Sequence, residues 1–154
     1  MISGVFSAQR AAGRSCLVPY VTAGHPSGDS TVDVLEALAD AGADVLELGI
    51  PFSDPVADGP TIQESSFKAL QNGMTVERVL QDLARFRARR DTPVVLFTYL
   101  NPVLRFGLER FLSKATDAGA NGLLITDLPL GADRVFEDAV KSSALDFIRL
   151  VAPT

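Results

Sequence analysis

One piece of punctuation occurs twice in the 154-residue sequence, as Asp40-Ala-Gly-Ala-Asp44 and as Asp117-Ala-Gly-Ala-Asn121, and each time an apolar run follows that ends in a proline, Pro51 or Pro129. A glycine after the last residue of an amphipathic segment stops a helix. A short run apolar on both faces is a strand covered on both sides. The echo therefore marks a repeated helix-then-strand unit. Five such runs are present, at 17–22, 45–50, 94–99, 122–126 and 147–151. Between them lie segments with helical spacing. One is capped by Asp29 or Ser30 and turns Val34, Leu35, Leu38 and Ala39 inward. Others cover 62–70 and 75–89, the latter with Val76, Val79, Leu80, Leu83 and Phe86 on one stripe. A helix over 108–118 buries Leu108, Phe111, Leu112 and Ala115, and one over 133–143 turns Val135, Phe136, Ala139 and Val140 inward. Asn101-Pro102 reads as the stop of the third strand, and a further helix over 5–13 precedes the first.

Strands alternating with helices, without a hairpin signal, predict a parallel sheet with right-handed crossovers. An open doubly wound sheet and a (β/α)8 TIM-type barrel are both built this way. The leading helix, suited to capping the bottom of a barrel, favours the barrel. So do the polar residues at strand ends (Thr22, Asn101, Thr126, Asp127), because a barrel carries its chemistry on its C-terminal face. No strand-to-helix turn carries a G-x-G-x-x-G or G-x-x-x-x-G-K-[ST] motif, which removes most support for nucleotide binding.

The length suits a single domain over 1–154. Net charge is −5, with Lys and Arg scattered rather than clustered, so nucleic acid and anionic membrane are poor partners. No apolar run approaches the roughly 20 residues of a spanning helix, and there is no signal-peptide pattern. With one cysteine, Cys16, no intramolecular disulfide is possible, and Cys16 reads as a small buried hydrophobe. A cytoplasmic location is expected.

Candidate chemistry gathers between Asp44 and Gln63, DVLELGIPFSDPVADGPTIQ. Glu47 sits inside an apolar strand. An ionised carboxylate there must face a solvated cavity or be paired, since burial alone is prohibitive. It is either a general acid or base or a paired structural glutamate. Asp54 and Asp58 follow in the loop, beside Pro55 and Gly59, where aspartate commonly forms turns. With Glu47 they also make a three-carboxylate set of the kind that binds a divalent metal. Thr61-x-x-Glu64 has capping-box spacing for the next helix. His25, the only histidine, follows strand one and reads as a solvated loop residue.

Four stretches carry a resemblance: VPYVTAGHP at 18–26, ELGIPFSDPVADGPTIQ at 47–63, TYLNPV at 98–103 and LLITDLP at 123–129. In order and spacing they resemble the α subunits of tryptophan synthase, across nearly the whole chain. The resemblance implies a (β/α)8 barrel lyase that cleaves indole-3-glycerol phosphate to indole and glyceraldehyde 3-phosphate in tryptophan biosynthesis. It implies an α/β heterotetramer in which indole passes to a β subunit that alone holds pyridoxal phosphate, with no cofactor and no metal in the α chain. By motif position Glu47 is the family's general acid/base and Asp58 the carboxylate that meets the indole N–H. Tyr20, Phe97 and Thr126 line the indole pocket. Pro51, Asp54, Asn101 and Pro129 fall where α meets β. Tyr20 stands where phenylalanine is common, so its hydroxyl must find a partner. His25 stands where the family often has aspartate.

The family's barrel has eight strands, and this sequence runs through the fifth. The loop after strand six and the phosphate-holding segments after strands seven and eight are not in it. A piece of a longer protein is the first expectation, and nothing near Pro153-Thr154 reads as a terminal cap. The alternative is an inactive half barrel that self-associates through open sheet edges or binds a β subunit.

Overall fold

The structure, a computed structural model, describes residues 2–151. Within them the elements run α1 (Ile2–Ala11), β1 (Tyr20–Thr22), α2 (Thr31–Asp40), β2 (Leu46–Gly49), α3 (Pro60–Gln71), α4 (Val76–Arg87), β3 (Val94–Thr98), α5 (Leu100–Phe106), α6 (Leu108–Asp117), β4 (Gly122–Ile125), α7 (Arg134–Lys141) and β5 (Asp146–Ile148). The strands form one parallel sheet in the order β1-β2-β3-β4-β5. Each strand pairs with its successor in sequence, as the wall of a barrel requires. A doubly wound sheet would reverse direction from a central strand. The fold is thus five strands of a (β/α)8 wall, a partial barrel.

Strand alternation divides the apolar residues between two cores. Leu46, Leu48, Val94, Leu96 and Leu123 face outward and meet Leu35, Val79, Leu83, Phe86, Phe111, Phe136 and Val140 of the helices. Val45, Val95 and Leu124 face inward and meet Ile2 of α1, with Val5 and Val18 packed against them. The leading helix therefore closes the N-terminal end of the wall, as its position in sequence predicts. Two carboxylates moor it. Asp146 accepts from the Ile2 amide at 2.8 Å, and Asp44 accepts from Gln9 Nε2 and from the Leu17 amide. The other end of the wall stays open, and that is where the candidate site lies.

Several elements differ from expectation. Asn101 and Pro102 do not end β3 so much as begin α5: Pro102 sits in the first helical turn, where its missing N–H would have had no partner. The capping box at Thr61 and Glu64 does not form. Gly59 is the N-cap and Pro60 the first helical residue, so Thr61 lies inside the turn and Glu64 pairs with Lys68 at 2.6 Å instead. Working caps are made by Thr75, which accepts from the Arg78 amide, and by Asp133, which accepts from the Phe136 amide. Ser30 is the N-cap of α2, but its hydroxyl donates back to the Ser27 carbonyl, while Asp29 pairs with Arg78.

On α7 the inward positions are Phe136, Glu137 and Val140, and Val135 is 79% exposed. Glu137 can take an inward place, 5% exposed, because its carboxylate accepts from the Gly131 amide at 2.6 Å and pairs with Arg149 at 3.1 Å. These contacts hold the carboxyl below the usual carboxylate range, with the Gly131 hydrogen bond the larger cause. Arg149 in turn lies over the Phe147 ring. The last strand ends at Ile148 rather than Val151, and Pro153 and Thr154 lie outside the described residues. Cys16 is half-buried rather than buried, and burial followed by the nearby Asp44 raises its thiol pKa. Among the described residues no helix is long and apolar enough to cross a membrane.

Candidate active site

The open end of the wall is built from the C-terminal ends of the strands and the loops that leave them. Leu46 and Leu48 are fully buried in the outer core, so alternation turns Glu47, between them, to the inner face. Strand register sets its neighbours: Tyr20 lies opposite Glu47 on β1, and the next inward row joins Thr22, Gly49, Phe97 and Leu124. Glu47 is half-buried, and burial raises its carboxyl pKa. Such a group exchanges a proton nearer neutrality than a solvated glutamate does, as acid/base work requires.

Tyr20 packs edge-on against Phe97, with ring centroids 5.1 Å apart at 73°. This is the favoured geometry for two aromatic rings and makes an apolar wall beside Glu47. The Tyr20 hydroxyl meets Thr22 Oγ1 at 3.2 Å, and Thr22 meets Ser65 Oγ of α3 at 2.7 Å. Burial pushes the phenol up to about 12. Gly49 makes room for this arrangement. A Cβ there would stand 2.2 Å from the Tyr20 hydroxyl oxygen and 2.6 Å from the ring carbon that bears it. Gly49→Ala is expected to displace the ring and cost about 1–3 kcal/mol of stability, the usual penalty of overpacking. The check is the urea unfolding midpoint; an unchanged midpoint would show that the slot is loose.

Asp58 comes from the loop after β2. Its carboxylate accepts a hydrogen bond from the Tyr99 hydroxyl at 3.0 Å, and the same hydroxyl oxygen accepts from the Ala57 amide at 3.0 Å. Tyr99 is 2% exposed, with Phe52 packed 5.3 Å from its ring. Burial first, and then the bond to Asp58, raises its phenol pKa. The Thr126 hydroxyl lies near that of Tyr99 and donates to the Thr98 carbonyl at 3.3 Å. Tyr99 is thus the hub that fixes Asp58, and the sequence motifs do not single it out. Its one signal is position: a polar aromatic at the C-terminal end of a barrel strand, inside TYLNPV.

Five of the expected site residues therefore share the open end: Glu47, Tyr20 and Phe97 on the inner face, Asp58 and Thr126 around Tyr99. Asp54 is exposed and accepts from Ser53 Oγ at 2.5 Å. Asn101 and Pro129 are exposed on neighbouring loops, and Pro51 is buried at the end of β2. Asp127 links two of these loops by accepting from the Leu100 amide at 2.7 Å. The metal reading of the three carboxylates finds no geometric support: among the described residues no three His, Cys, Asp or Glu side chains come together as ligands. His25 lines a cavity of about 430 Å³ beside β1, with Glu64 and Lys68, that also reaches Tyr20, Thr22 and Ser65.

Comparison with known proteins adds an independent line. The family model for the tryptophan synthase alpha chain matches residues 6–154. The tryptophan synthase alpha chain of Burkholderia thailandensis is 49% identical over 154 residues, covering 99% of this chain and 57% of the relative. Among solved structures, tryptophan synthase subunit alpha from Legionella pneumophila superposes with a TM-score of 0.96 at 39% identity, over 99% of this chain and 59% of that one. A tryptophan synthase complex from Pyrococcus furiosus gives 0.85 at 43%, over 90% and 57%. The chain thus spans a little over half the length of the relatives it matches.

Proposed function

Because the chain belongs to the tryptophan synthase alpha chain family, we propose that its open end is the acid/base part of a lyase site cleaving indole-3-glycerol phosphate to indole and glyceraldehyde 3-phosphate. The observation that carries this reading is the pairing of two differently held carboxylates at one end of the wall. Glu47 is half-buried with a raised pKa, and Asp58 is held at the rim by Tyr99.

The chemistry needs both. A proton added at indole C3 makes that carbon tetrahedral and leaves the ring nitrogen an iminium, a sink for two electrons. Loss of the proton from the hydroxyl on the adjacent side-chain carbon forms the aldehyde C=O as the carbon–carbon bond breaks. The bond's electron pair returns to the ring and regenerates indole. Glu47 serves as donor to C3 and acceptor from the hydroxyl, for which a carboxyl raised by burial is suited. Asp58 accepts from the ring N–H and stabilises positive charge as it develops, a contribution that needs a fixed anion. Tyr20 and Phe97 supply the apolar wall for the indole ring, and Thr126 lines the pocket with them. Neither a metal nor a cofactor enters these steps.

In the same reading the exposed Asp54, Asn101 and Pro129, with Pro51 shaping the loop beneath them, form the face that meets a β subunit. That partner would hold pyridoxal phosphate and consume the indole. The direct test is indole release from indole-3-glycerol phosphate by the purified chain, alone and mixed with a β subunit. Release above the spontaneous rate is expected. A folded chain that releases none in either condition would overturn the reading in favour of an inactive half barrel.

A further inference from the structure

The wall next to Glu47 carries a hydroxyl whose proton is already committed. Ser65 Oγ donates to the Ile62 carbonyl at 2.9 Å, a serine bonding back within its own helix. Each hydroxyl owns one proton. Ser65 must therefore accept from Thr22 at 2.7 Å, and Thr22, its proton spent, must accept from Tyr20 at 3.2 Å. Three hydroxyls are thus polarised in one direction, and the backbone carbonyl at the end prevents reversal. What Tyr20 offers to the cleft is lone-pair density only.

The position of that oxygen is set by Gly49. The hydroxyl lies over Gly49, two residues beyond Glu47 on the same face of β2, so it stands one step nearer the open rim than the Glu47 backbone and within electrostatic reach of Glu47 and Asp58. A ligand that reaches Glu47 from the rim is thereby brought beside this hydroxyl. The phenol, at about 12, stays protonated and neutral throughout the physiological range. It can therefore hold a hydroxyl donor without competing with Glu47 for the transferred proton.

We propose that the Tyr20 oxygen accepts a hydrogen bond from a hydroxyl of the ligand's polyol chain, making Tyr20 a specificity-determining residue that tells a hydroxylated side chain from a deoxygenated one. This rests on the lyase reading of the cleft. The phenylalanine common at this position in the family would give the same ring wall without the acceptor.

The chain has two tyrosines, Tyr20 and Tyr99, so labelling tyrosine at the ζ-carbon with ¹³C gives two NMR signals, assigned with Tyr20→Phe. The titration uses the Asp58→Asn chain to slow turnover, since position 58 hydrogen-bonds Tyr99 and acts on Tyr20 only through its charge, so that each ligand is compared with the ligand-free Asp58→Asn chain. Two ligands are compared: indole-3-glycerol phosphate, and the same indole phosphate with an unsubstituted three-carbon chain. The Tyr20 signal is expected to move with the first ligand only, and the Tyr99 signal with both. Tyr20→Phe should weaken binding of the hydroxylated ligand by about three- to tenfold, the worth of one neutral hydrogen bond, and leave the other unchanged. If Tyr99 responds to both ligands while Tyr20 moves equally with both or with neither, the acceptor role is overturned and the lyase reading stands. If neither tyrosine responds to either ligand, the lyase reading falls and the inference falls with it.

Discussion

Glu47→Gln is expected to lower indole release by about 10²- to 10⁴-fold, the usual contribution of a positioned acid/base group, and to make the chain more stable at neutral pH. The two effects have one cause. Burial raises the Glu47 carboxyl in the folded state above its unfolded value near 4.3. Between those two values the folded state holds a proton that the unfolded state has released, so stability falls as pH rises through that window. Above the folded pKa the native protein carries a half-buried charge that glutamine does not. The variant's melting temperature should therefore exceed the parent's at pH 7 to 8, and the gap should close as pH falls below about 4. Glutamine keeps the shape and loses the proton, so the Tyr20 and Phe97 wall stays in place. Turnover within about threefold of the parent would remove Glu47 from the chemistry. A parent at least as stable as the variant at pH 8 would show that Glu47 has a compensating partner.

The features legible in the sequence are those set by close neighbours along the chain. The five strands follow from apolar runs stopped by glycine and proline, and their parallel pairing follows from the helices between them. Glu47 is legible because a carboxylate between two core leucines has few explanations. What escapes depends on contacts across the chain or on choices between adjacent residues. Helical spacing treats Val135 and Phe136 as equally apolar. Which one faces in is decided by Glu137, whose burial depends on Arg149, 12 positions further on. Asn101-Pro102 reads as a strand stop because proline breaks helices, yet in the first turn it does not. Thr61 and Glu64 have capping-box spacing, but Gly59-Pro60 begins the helix first. The site is half legible in the same sense: Asp58 stands out beside its turn glycine, while Tyr99, which holds it, lies 41 positions away and carries no motif of its own.

That separation makes the second large effect a sharp one. Asp58→Asn is expected to lower kcat by about 10²- to 10³-fold, the loss found when one preorganised electrostatic contact is removed, with a much smaller change in KM. Asparagine keeps an oxygen for the Tyr99 hydroxyl and can still accept from a ring N–H, so the ground-state complex retains its hydrogen bonds. What disappears is the negative charge, and it matters only when the ring becomes cationic after protonation at C3. Tyr99→Phe separates charge from position. It leaves the carboxylate intact and removes the hydroxyl that fixes it at 3.0 Å, so kcat should fall less than in Asp58→Asn. A loss confined to KM in Asp58→Asn would make Asp58 a binding group rather than a charge stabiliser. An equal loss of kcat in the two variants would instead mean that holding the carboxylate in place is as necessary as its charge, and would overturn the expected order.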